Sequence, residues 1–190
     1  LSKKLESGKK TSAKKQGTTI RFKTNSDYFD TLDLNVKELT HLIKAKSILQ
    51  PKLKLKLIDE KYNTGNQEFF HNGNLSDYII GENDSASEYL PKESYHGSID
   101  TESYIMEWSA LWIPESIEPL QESYVNLIPT MYGGTHVNAF RSGLIDAMRE
   151  FCDRRNLLPR NIKLTPEDIW KNVSFILSFK MSNPQFSGQT

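Results

Sequence analysis

Two stretches of the chain carry apolar side chains at the three- and four-residue spacing that is typical of helices. The stretch 36–49 is followed by the stop signal Pro51, and its apolar stripe consists of Val36, Leu39, Leu42, Ile43 and Leu49. The stretch 136–155 is longer, and its predicted buried stripe consists of Val137, Phe140, Leu144, Met148 and Phe151. We expect Thr135 to cap the N-terminus of this second helix, since threonine is a favoured capping residue.

Alternation of apolar and polar residues predicts strands at 18–23, 52–58, 67–73, 94–100, 102–114, 122–129 and 173–181. The turn sequence at 63–66 joins the second and third of these into a hairpin. The succession of strand, long helix and strand from Ser123 to Lys180 predicts a β-α-β unit, and its crossover would by default be right-handed.

A break at Asn72-Gly73-Asn74 separates the chain into two parts, and we predict a domain boundary there. A short helix is predicted directly after it, at 75–80. Another is predicted to begin at Pro166, with Thr165 as its N-cap. Helices and strands occur in separate runs as well as in one β-α-β unit, so the predicted fold class is α+β.

The 190 residues include 24 basic and 24 acidic side chains, so net charge indicates no polyanionic partner. Residues 1–16 are rich in lysine and are expected to form a mobile loop or a frayed strand. Cys152 is the only cysteine, which excludes a disulfide and a cysteine-based zinc cluster. Without a signal peptide or a long apolar run, we expect a cytoplasmic protein. The start without methionine fits an internal fragment or a processed terminus.

The candidate functional residues all have an ordinary structural interpretation as well. Thr18 and Ile20 fit the opening of a plain strand, because β-branched residues favour strands. The motif GGTH at 133–136 fits a glycine turn before a capped helix, although free N–H groups at a helix start also favour anions. The basic residues of 136–155 fit a solvated helix face offset by acidic neighbours; they are Arg141, Arg149, Arg154 and Arg155. No spacing predicts a metal site, and we assign no catalytic residue.

Three stretches taken together carry a resemblance to a known family: QGTTIRF at 16–22, ESYVNLIPTMYGGTHVNAFRSGLIDAMREF at 122–151 and KMSNPQFSGQT at 180–190. They closely resemble the B subunits of bacterial type IIA topoisomerases. The motif SYVNLIPTMYGGTHVN resembles the topoisomerase IV member of this family more than the gyrase member. The resemblance covers nearly the whole chain and is weakest at 1–16 and 82–102.

This resemblance implies two domains. Residues 1–73 would be the C-terminal part of an ATPase domain of the gyrase, Hsp90, histidine-kinase and MutL type. Residues 74–190 would be most of a transducer domain with the fold of the second domain of ribosomal protein S5, truncated at the family's Gln-Thr-Lys loop. In that family the crossover of the transducer β-α-β unit is left-handed, which we adopt over the general rule.

The resemblance also implies roles for individual residues. Thr18 matches the threonine whose hydroxyl reaches the adenine edge, and Ile20 would form part of the apolar wall beside it. Gln189 and Thr190 match the start of the loop whose lysine reaches the terminal phosphate of the nucleotide. Arg141 matches an arginine that faces the cavity through which DNA passes, where it would meet phosphates without reading bases.

The implied function is that of an ATP-driven gate for DNA. The cofactors of the intact protein would be ATP and Mg. ATP binding would bring two copies of the protein together as a self-dimer. A DNA duplex would then pass through a break made by the DNA-cleaving A subunit of topoisomerase IV. Nothing in this chain matches the family's catalytic glutamate, its magnesium-binding asparagine or its glycine-rich lid. We therefore expect the 190 residues alone to be inactive as an ATPase.

Three alternatives stay open at this point. The chain could belong to the B subunit of gyrase, or to an ATPase of the MutL mismatch-repair type, whose transducer has a similar fold. It could also be a non-enzymatic interaction module, in which case Thr18 and Gln189 would face solvent far from any shared cleft.

Overall fold

The computed structural model of the protein describes residues 17–61, 65–83, 88–114, 116, 118–159 and 161–186. The chain divides into two compact units, Leu1–Asn35 and Val36–Thr190. The residues for which a mobile loop or frayed strand was expected, 1–16, lie outside the described part.

The strand predicted at 18–23 is wrong, because residues 17–35 form neither helix nor strand. A strand exists only where a neighbouring strand exchanges backbone hydrogen bonds with it. No described residue pairs with 18–23 in this way. Ile20 and Phe22 are consequently exposed, at 80% and 83% of their surface.

The second unit contains four helices and seven strands among its described residues, and most of them follow the predicted pattern. Their order is α1 (Val36–Leu49), β1 (Lys54–Leu57), β2 (Gln67–Phe70), α2 (Leu75–Glu82), β3 (Leu90–Asp100), β4 (Tyr104–Trp112), β5 (Gln121–Val125), β6 (Ile128–Pro129), α3 (Thr135–Arg155), α4 (Pro166–Trp170) and β7 (Val173–Met181). The α+β fold class is thereby confirmed.

Strands β1 and β2 form the predicted hairpin, with Lys54 opposite Phe70. The other five strands form one sheet in the order β3-β4-β7-β5-β6. Neighbours in this sheet run antiparallel except β5 and β7, which are parallel. Because α3 lies between β5 and β7 along the chain, the predicted β-α-β unit is confirmed. The handedness of its crossover stays a prediction.

The single strand predicted at 122–129 is two strands joined by a tight turn. Val125 pairs with Ile128, so only Asn126 and Leu127 lie in the turn. Both have positive φ, 47° and 67°. A two-residue hairpin turn with two positive φ values matches the twist of the flanking strands. The alternation of the sequence conceals this turn, since leucine is an unusual residue for such a conformation.

The five-stranded sheet is covered on both faces. Helices α1 and α2 pack on one face, in a core that contains Ala45, Ile48, Leu49, Leu75, Tyr78, Ile79, Leu111, Ile113, Tyr124 and Ile176. Helices α3 and α4 pack on the other face, around Ala110, Phe140, Val173, Phe175 and Leu177. Alternate residues of β7 therefore enter different cores, as expected for a strand that is buried on both sides.

Helix α3 differs from its predicted form in two respects. Its N-cap is Gly134, with no side-chain capping bond, so Thr135 is the first helical residue and not the cap. Its buried residues are Phe140, Ile145 and Cys152, whereas Phe151 is 49% exposed. The buried stripe is thus rotated by part of a turn, because Leu144 and Ile145 are both apolar and periodicity alone does not decide between neighbouring stripes.

Two short helices begin with capping boxes. Asn74 caps α2 and is paired with Asp77, and Thr165 caps α4 and is paired with Asp168. In each box the cap side chain accepts a backbone hydrogen bond while the carboxylate three residues later accepts one from the cap. Hydrogen bonds from Thr165 lower the pKa of Asp168 below its usual value. Within the described part of the chain, no helix has the length and apolar character needed to span a membrane.

Candidate functional site

A carboxylate on β5 gathers hydrogen bonds from three different elements. The Tyr78 hydroxyl of α2 donates to the two oxygens of Glu122 at 3.2 and 3.1 Å. The Tyr124 hydroxyl donates to the same carboxylate at 2.9 Å, because residues two apart on a strand point to the same face. Nε2 of His41 on α1 lies 2.7 Å from Oε1 of Glu122. We call these four residues the Glu122 cluster.

The Glu122 cluster is largely closed to water. The Glu122 side chain is 13% exposed, while His41 at 44% forms its outer edge. Burial, followed by the negative charge of Glu122, raises the pKa of the Tyr78 hydroxyl far above its usual value. The same two causes raise the pKa of Tyr124. Both tyrosines therefore stay protonated as hydrogen-bond donors, which is what an almost buried carboxylate requires.

A second ionic contact joins α1 and α2 beside this cluster. The Lys44 ammonium forms an ion pair with Glu82, and it also lies 5.7 Å from the centre of the Tyr78 ring. A cation over the face of an aromatic ring is attracted by the ring quadrupole. Helix α1 is thus attached to the rest of its unit through both its polar and its apolar residues.

The other face of β5 carries a separate polar group near the start of α3. Ser123 Oγ and Thr130 Oγ1 lie 2.6 Å apart, and Thr130 Oγ1 lies 3.1 Å from Nε2 of His136. Burial lowers the pKa of His136 below its usual value. This arrangement fixes the GGTH turn against the sheet and leaves the His136 imidazole neutral at physiological pH, so we interpret it as structural.

The turn after β5 holds the end of β7. The Asn126 amide group donates to the Met181 carbonyl at 2.8 Å, and the Met181 backbone N–H donates to Asn126 Oδ1 at 2.9 Å. We call this reciprocal pair the Asn126 clamp. It fixes the point at which the chain leaves the sheet towards residue 184 and beyond. Strand β5 therefore contacts α1 through Glu122, and the turn that follows it contacts the exit of β7 through Asn126.

The structure does not bring the predicted nucleotide-contacting residues together into one described site. Thr18 and Ile20 lie in the first unit and are exposed. Gln189 and Thr190 lie outside the described residues. Their roles in nucleotide binding stay predictions.

Arg141 lies on α3 with its guanidinium carbon 5.2 Å from the centre of the Trp170 ring. It is half-buried. Other basic residues of the helix have local partners, as the solvated-face interpretation expects: Arg149 donates to the Leu164 carbonyl, and Arg154 pairs with Glu150. Arg141 differs from these two because it lies over an aromatic ring, as Arg155 lies over the ring of Phe151. Its proposed contact with DNA stays a prediction.

No group of three or more histidine, cysteine, aspartate or glutamate side chains that could hold a metal ion occurs among the described residues.

A sequence model of the family described as DNA gyrase B matches residues 74–190, which is more than half of the chain. The chain belongs to the DNA gyrase B family. The resemblance of its motifs to the B subunits of type IIA topoisomerases is thereby confirmed.

Individual relatives in the DNA gyrase B family refine the comparison. The B subunit of DNA topoisomerase 4 from Haemophilus influenzae is 49% identical over 174 residues, which are 92% of this chain and 27% of that protein. The B subunit of DNA gyrase from Borreliella burgdorferi is 31% identical over 179 residues, 92% of this chain and 27% of that protein. The greater similarity to the topoisomerase 4 protein agrees with the resemblance of the motif SYVNLIPTMYGGTHVN to the topoisomerase IV member of the family. The chain spans about a quarter of the length of these curated relatives.

A solved structure of this family has the same fold. The topoisomerase IV ATP-binding domain of Francisella tularensis superposes with a TM-score of 0.68 at 31% sequence identity. The superposition covers 87% of this chain and 44% of that one.

The sequence pattern did not indicate the Glu122 cluster or the Asn126 clamp. One signal is present in it: Glu122 and Tyr124 lie two apart on a predicted strand, and such residues share a face. The partner that completes the cluster, His41, is 81 residues away along the chain, and no local pattern identifies it.

Proposed function

We propose that the chain is a segment of the ATPase subunit of a bacterial topoisomerase IV. In this proposal residues 1–73 are the end of the ATPase domain, residues 74–190 are most of the transducer, and the segment transmits ATP binding to a gate that passes DNA. The observation that carries the proposal is the 49% identity over 174 residues to the B subunit of a DNA topoisomerase 4. The family match that begins at residue 74 supports the proposed start of the transducer.

Thr18 and Ile20 would contribute to the nucleotide site from the ATPase side. Both side chains are exposed and so are available to a ligand. A threonine hydroxyl can donate and accept at the adenine edge, and Ile20 can offer an apolar surface to the ring. The nucleotide, when bound, supplies the charged terminal phosphate towards which the loop at Gln189 and Thr190 would lead. In this proposal Mg²⁺ accompanies the nucleotide in the intact protein.

In the same mechanism, Arg141 would contact the phosphates of the DNA duplex. Its guanidinium is fixed over Trp170, so little side-chain entropy is lost when it meets a phosphate. Contacts to phosphates hold a duplex without reading its sequence, which suits an enzyme that passes any duplex. The proposed partners are DNA, the DNA-cleaving A subunit of topoisomerase IV and a second copy of the ATPase protein. The proposed location is the bacterial cytoplasm at the nucleoid.

The test uses the full-length protein that contains these residues, purified and mixed with its DNA-cleaving partner. We expect ATP-dependent relaxation of supercoiled plasmid and decatenation of linked DNA circles. The variant Thr18→Ala should raise the KM for ATP about three- to ten-fold, as expected for the loss of one hydrogen bond. The adjacent Thr19→Ala is the matched control and should not change the KM. Relaxation or decatenation that proceeds without ATP would overturn the proposal. The absence of both activities in the presence of ATP would overturn it as well.

A further inference from the structure

We propose that Glu122 is a positioning residue whose carboxylate latches α1 onto strand β5. Its role in the enzyme rests on the proposed function, whereas the latch itself rests on the contacts of the Glu122 cluster. Tyr78, Tyr124 and His41 bring hydrogen bonds to the carboxylate from α2, β5 and α1. One side chain therefore connects three elements.

The burial of α1 indicates which part of the helix depends on this latch. Its fully buried residues all lie in its last five positions, and they are Ala45, Ser47, Ile48 and Leu49. Towards Val36 the side chains are half-buried or exposed. Apolar packing thus anchors the C-terminal end of α1, while His41 supplies a polar anchor one turn before the buried end. The contact between His41 and Glu122 then helps to hold the N-terminal half of α1 against the sheet.

The energetics favour Glu122 over the neighbouring ion pair as the controlling contact. The Glu122 carboxylate is 13% exposed and the Glu82 carboxylate 22%, while their partners His41 and Lys44 are similarly open to water, at 44% and 45%. Water screens a pair of exposed charges and leaves it little net stabilisation. A nearly buried carboxylate instead needs each of its donors, because losing one leaves a desolvated charge partly unsatisfied.

The position of β5 gives this latch a consequence for the proposed function. Residues that lead to Val36 include Thr18, one of the proposed nucleotide contacts. Four residues after Glu122, Asn126 holds Met181 at the end of β7, from which the chain continues to Gln189. Strand β5 and the turn after it therefore contact both α1, at His41, and the exit of β7, at Met181. We infer that Glu122 keeps α1 and the exit of β7 in a fixed relation, so that a movement of α1 is transmitted to the exit of β7.

Hydrogen exchange of the 190-residue chain tests the latch without any enzyme assay. The variant Glu122→Gln keeps the shape of the side chain and removes its charge, and Glu102→Gln in the exposed turn after β3 is the matched control. We expect exchange in the first two turns of α1 to rise about ten-fold or more in Glu122→Gln, with β7 unchanged. Unchanged exchange in α1, or an equal rise in β7 that reports general destabilisation, would overturn the latch.

A second pair of variants removes a donor and leaves the carboxylate in place. Tyr124→Phe deletes one hydroxyl of the Glu122 cluster, and Tyr132→Phe deletes the hydroxyl of a fully exposed tyrosine. Exchange in α1 should rise in Tyr124→Phe, by less than in Glu122→Gln, and should equal that of the unaltered protein in Tyr132→Phe. If Tyr124→Phe also equals the unaltered protein, Tyr124 does not support the latch as we propose.

The role in coupling is tested in the full-length protein with its DNA-cleaving partner. Glu122→Gln should leave the KM for ATP unchanged and lower the number of strand-passage events per ATP hydrolysed, while Glu102→Gln should change neither. If Glu122→Gln passes as many strands per ATP hydrolysed as the unaltered protein, this role of Glu122 is overturned. Failure of the unaltered protein to pass strands with ATP would instead overturn the proposed function, and the hydrogen-exchange result would still decide the latch.

Discussion

At the scale of single residues, neighbours on β5 occupy opposite environments. Glu122 enters a group of hydroxyl and imidazole donors on the α1 face, and Ser123 joins Thr130 and His136 on the α3 face. The first face holds a charge and the second holds a neutral histidine. The difference follows from what each face packs against, since burial without a countercharge disfavours the protonated imidazole.

His136 should make the stability of the protein depend on pH. Burial lowers its pKa in the folded state from the usual 6.5, so the unfolded chain binds the proton more readily. The stability that the neutral His136 imidazole contributes is therefore complete above about pH 6.5. It is lost as the pH falls towards the pKa of His136 in the folded state. Thermal unfolding between pH 7.5 and 5 should show this loss, and His136→Gln should show a smaller slope. The other three histidines are common to both proteins, so equal slopes would contradict the prediction.

At the scale of elements, two glycines differ in the space that surrounds them. Gly97 on β3 lies opposite Trp108 on β4, and a Cβ built at Gly97 would come within 2.9 Å of the indole ring. The ring thus occupies the space that a side chain would need. Gly143 lies on the exposed face of α3, and nothing lies within 4 Å of a Cβ built there.

Alanine at these two positions should shift stability in opposite directions. Gly97→Ala should lower the free energy of unfolding by about 1–3 kcal/mol, because the indole must move out of a packed sheet. Gly143→Ala should raise it by about 0.5–1 kcal/mol, since alanine restricts the unfolded chain and favours helix. Urea unfolding of both variants beside the unaltered protein measures the two effects. A stabilised Gly97→Ala would show that Trp108 does not fill the space as described.

At the scale of the whole molecule, the two domains predicted from the sequence stay a prediction, and α1 packs across their boundary. The structure divides at Asn35, whereas the predicted boundary lies at residue 73. Helix α1 belongs to the first predicted domain, yet its buried residues share a core with α2 and β7. The proposed boundary is therefore one across which residues pack, as the latch proposal requires.

The 190-residue chain by itself should not hydrolyse ATP. Nothing in its sequence matches the family's catalytic glutamate, its magnesium-binding asparagine or its glycine-rich lid. Phosphate release by the purified chain, with and without DNA, should equal that of a buffer blank. Turnover that elutes with the chain and falls in a Thr18→Ala preparation would contradict this expectation, whereas turnover equal in both preparations identifies a contaminant.

Local pattern predicted much of this fold correctly, and its failures have physical causes. The hairpin β1-β2, the helices α1, α2 and α4 and the strand β7 all lie where periodicity and capping residues predicted them. The strand at 18–23 failed because a strand needs a partner that the described residues do not supply. The strand at 122–129 was divided by a turn whose only turn-favouring residue is Asn126, and asparagine without a following glycine is a weak signal.

The sequence by itself determined the family, through long motifs in order, and the periodic elements, because periodicity depends on residues a few positions apart. The tertiary structure alone decided which stripe of α3 is buried and which side chains meet at Glu122. The contacts at Glu122 join residues as much as 81 positions apart, and they arise only when α1 and α2 pack together on one face of the sheet. Local preference cannot encode them, since the free energy that selects them comes from burial shared among several elements.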